Sequence, residues 1–548
     1  MSQQDPPPAQ STADAVRAVA TAVAASEFRQ AAELADSSLS FGLIHPALYN
    51  ARALWAERQG RDEEALQEFQ RARALAPKDP HILNAVGLCL TRLYRLDEAL
   101  DAFDEAIRID PAYSATHQRK GVVLGMAGRP AAAETAHRRA ISLQPGNVEA
   151  LASVASIAAR NGDARPAETY ATRALAIDPR NATAHAALAL VEISRGEFAL
   201  AEQRLRPLLD GPQLLGHGRA VVLGLLGDAL DGLGRYPEAF AVYGAANAEL
   251  RKLHAPRFRG RTGMLEMVEK LIAYFDGVAG EAWNAVPHGE PVDQPARLHV
   301  FLLGFYRSGT TLLEQVLESH PDIATLEERD FLAEPAEHYL TSPEGLDRLS
   351  MLDEKAVAIL RTTYWQRVRD HRVATEGKVF VDKHPLNTVK LPLIRKLFPQ
   401  AKILFALRDP RDVVLSCFRR HFEINATMYE FLTLDGTARL YDRVMSFAET
   451  CRGMFPLELF EHRYEDMIAD FDGRIRAVCE FLVVPYSETM QEFAGTAHNL
   501  DIRSPSAQQV RRGLYSEGLN QWRRYQAELA SALPLLEPWV KRFGYAPG

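Results

Sequence analysis

The sequence has few of the features that mark several common protein classes. It contains only four cysteines in 548 residues, and none of them form the closely spaced pair typical of a zinc site. No run of about 18 apolar residues occurs, so we expect no transmembrane helix. The net charge of −8 gives no reason to expect general affinity for nucleic acid. Together these absences favour a cytoplasmic protein with reduced thiols and no bound metal.

The amino terminus also lacks the pattern of a targeting segment. Residues 1–11 are polar and proline-rich and carry no basic start, so they are predicted to be disordered rather than a signal peptide. The apolar fraction of 47% and the charged fraction of 24% are ordinary for a globular protein. The length predicts more than one domain.

A repeat is present in the first half of the chain. Four prolines recur every 34 residues, at Pro77, Pro111, Pro145 and Pro179. Small residues precede each at similar offsets, as Ala99 and Ala106 precede Pro111, and an aromatic lies between them in the first two units, as Phe103 does. The period resembles the tetratricopeptide repeat, in which alanines let paired helices approach and proline ends the second helix. A helical bundle with chance periodicity is the alternative.

The repeats predict an α-solenoid over residues 12–254, followed by a junction over residues 255–295. Repeat solenoids commonly present a concave surface to a partner, so a protein partner is possible. From residue 296 to residue 548 the pattern changes to short apolar runs that alternate with amphipathic segments, which predicts an α/β domain with a central parallel sheet. The predicted strands are His299–Leu303, Val379–Val381, Ile403–Leu407 and Leu457–Phe460.

The first predicted strand runs directly into a loop, Gly304–Thr311, and then into a helix pattern. A strand, a glycine loop and a helix start form the geometry that cradles phosphate. The loop is P-loop-like, but Thr310 stands where an ATP-binding loop has lysine. A ligand with a shorter anionic tail than a triphosphate is therefore expected.

A second candidate anion site follows the strand that ends at Leu407. Arg408 lies at the end of that strand, and Ser416 lies two turns along the helix that begins near Asp409. Arginine suits bidentate binding of phosphate. The alternative is that Arg408 and Arg411 merely pair with neighbouring aspartates on the surface.

These two motifs, in this order, resemble the sulfotransferase superfamily over about residues 296–530. The resemblance is to its tyrosylprotein sulfotransferase-like branch and to tetratricopeptide-repeat sulfotransferases. It implies that 3′-phosphoadenosine 5′-phosphosulfate (PAPS) donates a sulfuryl group to a hydroxyl and leaves as 3′-phosphoadenosine 5′-phosphate (PAP), with no metal. By position, Arg408 and Ser416 are expected to bind the 3′-phosphate. The residues expected to bind the phosphosulfate are Arg307, Ser308, Gly309, Thr310 and Thr311.

The same resemblance assigns catalytic roles. Glu328 aligns with the family's general base, and nearby charges were expected to hold its pKa high enough to accept a proton. Glu327 is the alternative, because one register slip exchanges the two. Lys383 is expected to reach the leaving oxygen, and His384 is a second candidate base. The alternative is that Glu327 and Glu328 are solvated acids on a loop and that Lys383 is a surface lysine.

Later segments complete the expected site. Tyr464 is expected to contact the nucleotide, although a helix-cap role for the adjacent Glu465 and Asp466 is equally consistent. Ser506 is expected near the sulfonate or the 5′-phosphate, and Arg512, or Arg511, near the 3′-phosphate. Trp522 is expected to serve packing.

Two residues depart from the pattern of the branch. Tyr306 replaces a common proline in the first loop without removing the donors of that loop. Asp330 replaces an arginine that helps tyrosylprotein sulfotransferases hold acidic peptides, which argues against an acidic tyrosine peptide as acceptor. Protein tyrosine, glycan and small-molecule hydroxyls all remain open as acceptors. The alternatives to a sulfotransferase are a nucleotide-dependent kinase and a non-catalytic repeat scaffold with a degenerate nucleotide domain.

Overall fold

A computed structural model describes residues 12–211, 214–278, 283, 295–420, 422–493 and 518–547. The chain forms two compact units, Met1–Val191 and Glu192–Gly548.

The described part of the first unit is helical, and each helix packs against the next one along the chain. Its helices are α1 (Thr12–Ala24), α2 (Phe28–Ser40), α3 (Pro46–Arg58), α4 (Asp62–Leu75), α5 (Pro80–Arg92), α6 (Leu96–Ile109), α7 (Ser114–Met126), α8 (Pro130–Leu143), α9 (Val148–Asn161) and α10 (Ala164–Ile177). Helix α11 (Ala182–Ser194) crosses the division between the units.

The 34-residue period corresponds to one pair of helices. Each of the four recurring prolines lies two residues beyond the end of a helix, as Pro111 does beyond Ile109 of α6. A Cβ added at Gly87 of α5 would lie 2.7 Å from the ring of Phe103 in α6. Glycine is therefore needed where the aromatic ring fills the space between paired helices. The predicted tetratricopeptide solenoid is confirmed as a fold.

The second unit combines further helices with one sheet. Its α-helices are α12 (Phe198–Leu209), α13 (Gly216–Gly232), α14 (Tyr236–Phe258), α15 (Met264–Asp276), α16 (Thr310–Glu318), α17 (Ala333–Tyr339), α18 (Pro343–Ser350), α19 (Glu354–Asp370), α20 (Leu391–Leu397), α21 (Pro410–Arg419), α22 (Ala426–Glu430), α23 (Leu434–Met454), α24 (Tyr464–Ala469), α25 (Phe471–Leu482) and α26 (Leu533–Arg542). Short 3₁₀ helices are η1 (Pro385–Lys390), η2 (Glu488–Glu492) and η3 (Gln521–Tyr525).

The sheet has five strands in the order β2-β3-β1-β4-β5, and every pairing is parallel. Three of the four predicted apolar runs lie wholly in strands, the fourth overlaps β5 except for Leu457, and the fifth strand is β2. The strands are β1 (Leu298–Gly304), β2 (Ile323–Glu327), β3 (Val379–Lys383), β4 (Lys402–Leu407) and β5 (Glu458–Arg463). The predicted central parallel sheet is confirmed.

Helices cover both faces of this sheet. Along β1, Val300 and Leu302 belong to one buried apolar cluster, whereas Phe301 and Leu303 belong to another. Because successive side chains of a strand point to opposite faces, these two clusters lie on opposite sides of the sheet. Burial on both faces explains why β1, β3 and β4 appear in the sequence as continuous apolar runs, whereas the edge strand β5 is mostly half-buried.

The α13–α14 hairpin keeps the repeat pattern but packs within the second unit. A Cβ added at Gly227 would lie 2.5 Å from the ring of Tyr243, which repeats the relation of Gly87 to Phe103. Asn247 of α14 donates to the carbonyl of Phe418 in α21 at 2.8 Å, and Phe240 stacks on Phe418. The hairpin is thus part of the unit that contains the sheet, while the predicted domain boundary at residue 254 stays a prediction.

Candidate active site

The candidate active site lies at the carboxyl edge of the sheet. Because all five strands are parallel, their last residues, Gly304, Glu327, Lys383, Leu407 and Arg463, come to the same edge. The sequence motifs that follow these strands therefore converge there, as expected of ligand sites in α/β sheets.

The first loop is fixed at Gly304 by its neighbours. Its φ is +147°, and an added Cβ would lie 2.5 Å from the carbonyl oxygen of Ala406. The Thr388 hydroxyl accepts from the Gly304 N–H at 3.1 Å and donates to the Gly304 carbonyl at 2.8 Å. A larger residue at this position would push β1 away from β4.

Tyr464 closes against the other end of the loop. Gly309 has a φ of +89° and precedes α16, and an added Cβ would lie 2.6 Å from the Tyr464 ring. The first turn of a helix directs N–H groups outward, and the helix dipole favours an anion in front of them. The predicted phosphate ligands Ser308, Thr310 and Thr311 are buried around this helix start.

The two predicted anion sites are adjacent. Arg307 Nε donates to Ser416 Oγ at 3.0 Å, and Arg408 Nη1 donates to the Arg307 carbonyl at 3.1 Å. The Arg408 guanidinium lies 5.0 Å from the centroid of the Tyr464 ring. Arg307 also has a φ of +67°, a left-handed conformation that is costly for a side-chain-bearing residue and recurs at functional sites.

The alternative that Arg408 and Arg411 pair with neighbouring aspartates on the surface holds only for the pairing of Arg411. Arg411 does pair with Asp409, at 2.7 Å, but both are buried, and the Arg411 guanidinium lies 3.8 Å from the Trp522 ring centroid. Arg408 instead donates to the carbonyls of Arg307 and Gly518. The two arginines therefore have different contacts: Arg411 packs against Trp522, and Arg408 bonds the first loop at Arg307.

Acidic residues near the second motif fix the backbone. Asp412 accepts from the N–H groups of Asn520 and Trp522, each at 2.8 Å. Glu465 accepts from the Asp409 N–H at 2.9 Å and from the Tyr545 hydroxyl at 2.7 Å. Glu465 therefore has a structural role, as the alternative proposed. It bonds the backbone at the start of α21, however, and does not cap α24, the helix in which it lies.

The predicted contacts of Ser506, Arg511 and Arg512 lie outside the described residues.

Lys383 lies at the centre of an acidic cluster. It is fully buried, and its Nζ is 3.0 Å from Glu328 Oε1, 3.0 Å from Glu314 Oε2 and 3.7 Å from Glu327 Oε1. The reading of Lys383 as a surface lysine is therefore wrong. The cluster forms because β2 and β3 pair in parallel, which sets Glu327 opposite Lys383.

The charges in this cluster set its protonation. Burial alone would lower the pKa of Lys383, but Glu314, Glu328 and Glu327 together raise it. Burial alone would raise the pKa of Glu328, but Lys383 lowers it, with smaller help from His384 and Arg307. The expectation of a high pKa for Glu328 is therefore wrong: this carboxylate is ionised at neutral pH because its lysine neighbour outweighs burial.

The structure adds Glu314, which sequence reasoning missed. It lies on α16, its side chain is 1% exposed, and burial raises its pKa to about 8. The available signal was its position four residues after Thr310, which places both on one face of the helix. Glutamate is usually solvent-exposed in a helix, so this position alone did not indicate that Glu314 is buried.

Two titratable groups flank Lys383 in the chain: Asp382 is buried, and His384 is partly buried. Burial lowers the pKa of His384 to about 4, so its imidazole is neutral at neutral pH. Asp382 accepts from the Tyr364 hydroxyl at 2.6 Å, and burial raises its pKa to about 7. Asp330, at the position of the branch's arginine, pairs with Lys390 of η1.

Comparison with known families agrees with this geometry. Residues 299–488 match the family described as "Sulfotransferase family", and residues 16–80 and 69–114 match "Tetratricopeptide repeat". Residues 299–488 form a sulfotransferase-family domain. The matched range contains both candidate anion-binding motifs and the Lys383 cluster, so the resemblance drawn from the motifs is confirmed.

Relatives of the sulfotransferase domain include protein-tyrosine sulfotransferases. Protein-tyrosine sulfotransferase 1 of Danio rerio is 24% identical over 266 residues, which cover 45% of this chain and 72% of the relative. A putative one from Caenorhabditis briggsae is 25% identical over 45% of this chain and 88% of the relative. An uncharacterized protein of Aquifex aeolicus is 26% identical over 349 residues, 62% of this chain, but the chain spans only 44% of that protein's length.

Among solved structures, a tetratricopeptide repeat protein from Parabacteroides merdae aligns with 44% of this chain and 93% of its own, at 16% identity and a TM-score of 0.37. Within the described ranges, no helix has the length and apolarity that a membrane span requires. The same residues contain no cluster of three or more His, Cys, Asp or Glu side chains arranged to hold a metal ion. All four cysteines are free and buried.

Proposed function

We propose that the sulfotransferase domain transfers a sulfuryl group from PAPS to a hydroxyl acceptor, with Glu328 as general base. The observation that carries this proposal is the buried Lys383 ammonium, held 3.0 Å from Glu328 at the carboxyl edge of the sheet. An ionised base and a fixed cation within one hydrogen bond of each other are the two groups that the reaction requires.

The donor would lie across the two adjacent anion sites. Its 5′-phosphosulfate would occupy the loop formed by Arg307, Ser308, Gly309, Thr310 and Thr311, at the start of α16. Its 3′-phosphate would bind Arg408 and Ser416, which the structure holds next to Arg307. Tyr464, which packs against both the loop and Arg408, would border the nucleotide.

The reaction then follows from these positions. Glu328 takes the proton of the acceptor hydroxyl as the new O–S bond forms. The bond between sulfur and the 5′-phosphate oxygen breaks at the same time, and the electron pair leaves with PAP. Lys383 stabilises the charge that grows on the leaving oxygen, and Arg307 stabilises the sulfonate oxygens. Ser506 would join them and stays a prediction.

Lys383 must change partners for this step. In the structure it binds Glu328, which lowers the basicity of that carboxylate. An anionic donor beside α16 offers Lys383 a competing partner, and the exchange would free Glu328 to accept a proton. The base would therefore be restrained until the donor is bound.

The acceptor class is narrowed by Asp330. This residue supplies negative charge where the resembled branch supplies an arginine, and it is already paired with Lys390. A strongly acidic peptide is therefore disfavoured, whereas neutral or basic hydroxyl acceptors are compatible. We propose a role for the repeats in recruiting the acceptor or a partner protein. A cytoplasmic location likewise stays a prediction.

A transfer assay tests this function. Purified protein is incubated with PAPS carrying labelled sulfate and with fractionated cell extract, and labelled products are separated. Wild type should label a product, Glu328→Gln should lose activity by about 10²-fold or more, and Glu327→Gln should retain most of it. If the two variants exchanged behaviour, Glu327 would be the base. Turnover of ATP in place of PAPS would favour the kinase alternative instead.

A further inference from the structure

The α13–α14 hairpin reaches the helix that carries Ser416. Asp231, in the last turn of α13, bonds Arg419 at 3.2 Å, and Arg419 is the last residue of α21. The other oxygen of Asp231 accepts from the Tyr525 hydroxyl, at the end of η3. One carboxylate of the hairpin thus ties together two segments of the sulfotransferase part of the unit.

The segment over residues 518–525 is in turn attached to the second anion site. The carbonyl of Gly518 accepts from Arg408 Nη2, and the N–H groups of Asn520 and Trp522 bond Asp412. Arg419 also donates to the side chain of Gln521 at 3.2 Å. The segment therefore touches Arg408 at one end and Asp231 at the other.

The surroundings of Asp231 make its two bonds rigid. The Asp231 side chain is 18% exposed and that of Arg419 is 8% exposed. The guanidinium of Arg419 lies 5.3 Å from the ring centroids of both Tyr243 and Tyr525. Removal of one partner from a buried, charge-assisted contact leaves the other poorly solvated, so rearrangement of the segment is the expected response.

We propose that Asp231 is a positioning residue of the nucleotide site. It holds residues 518–525 and the end of α21 so that Arg408 and Ser416 meet the 3′-phosphate of PAP in one fixed geometry. This inference rests on the proposed function. It means that the α13–α14 hairpin completes the donor site, in addition to any role of the repeats in binding a partner.

Titration calorimetry of the full chain with PAP tests the inference without an acceptor. Asp231→Asn should weaken PAP binding by about tenfold, which corresponds to about 1.4 kcal/mol. Tyr525→Phe removes the same bond from the other side and should weaken binding similarly. If both act through one contact, the double variant should bind about as weakly as either single variant.

Asp228→Asn is the matched control. Asp228 lies one turn earlier on α13, where it accepts from the Tyr243 hydroxyl at 2.8 Å and lies 3.6 Å from Arg420. Its loss should lower the melting temperature while leaving the Kd for PAP within about twofold. Equal weakening by Asp228→Asn and Asp231→Asn would overturn the inference, since general loosening of the hairpin would then explain both.

Other outcomes separate the inference from the proposal on which it rests. Normal PAP binding by Asp231→Asn, beside normal binding by wild type, would overturn only the inference. Absence of PAP binding by wild type would overturn both.

Discussion

The clearest physical prediction concerns the buried carboxyl of Glu314. Burial raises its pKa to about 8 from a reference value of 4.5. Between those two pH values the unfolded chain has released this proton while the folded protein still holds it. The free energy of unfolding therefore falls as pH rises through this interval, by about 1.4 kcal/mol per pH unit.

Glu314→Gln removes that pH-dependent contribution while keeping the shape of the side chain. At pH 5 the folded wild type already carries a protonated Glu314, so the two proteins should be similar in stability. By pH 8 the variant should be more stable than wild type by roughly 4 kcal/mol at most. The difference between the two proteins reports on Glu314 together with the groups coupled to it, Lys383, Glu327 and Glu328, because more distant titrating groups are common to both.

The assay is urea unfolding at pH 5, 6, 7 and 8, followed by tryptophan fluorescence. Four of the five tryptophans, Trp283, Trp365, Trp522 and Trp539, lie in the second unit, so the signal reports mainly on the unit that contains Glu314. Glu334→Gln, which removes a carboxylate with a 78% exposed side chain, is the control and should show no such trend. A difference between Glu314→Gln and wild type that stays constant with pH would refute the reasoning.

Three further predictions concern the donor site. Arg408→Ala should weaken PAP binding by at least about tenfold in calorimetry, because a charge-assisted phosphate contact is lost. Arg439→Ala, which removes a cation with a 61% exposed side chain on α23, is the control, and an equal effect there would point to general electrostatics. Lys383→Met should abolish sulfuryl transfer while PAP still binds, and retained turnover would remove Lys383 from the mechanism. Gly309→Ala, with its Cβ 2.6 Å from the Tyr464 ring and a φ of +89°, should lower both the melting temperature and the PAP affinity. Unchanged values for Gly309→Ala would show that Tyr464 moves aside at little cost.

Much of the fold was predictable because local signals agreed with tertiary ones. The spacing of Pro77, Pro111, Pro145 and Pro179 marked the helix ends directly, since proline cannot continue a helix. Strands buried on both faces leave continuous apolar runs, and the three runs predicted at β1, β3 and β4 lie wholly within those strands. By contrast, no local pattern indicates that α14 packs against α21, because the repeat signature of α13 and α14 resembles that of the earlier helices.

The candidate site was predictable where a motif fixes backbone geometry and less so where charges interact. Arg307 and Arg408 follow the ends of β1 and β4 and Ser416 lies two turns into α21, and the structure brings these three residues together. The direction of the Glu328 pKa shift depended on how close Lys383 comes, and that distance is set by the pairing of β2 with β3. Glu314 was missed because its burial results from packing of α16 on the sheet, which composition alone does not reveal.

The central claim is that one site at the carboxyl edge of the sheet binds both phosphates of a 3′-phosphoadenosine nucleotide. The most direct measurement is calorimetry of wild type with PAP, and with adenosine 5′-phosphate and ADP in parallel. The account predicts that PAP binds at least about tenfold more tightly than the two nucleotides that lack the 3′-phosphate. Equal affinity for all three would show that Arg408 and Ser416 do not form a 3′-phosphate site, and would contradict the account.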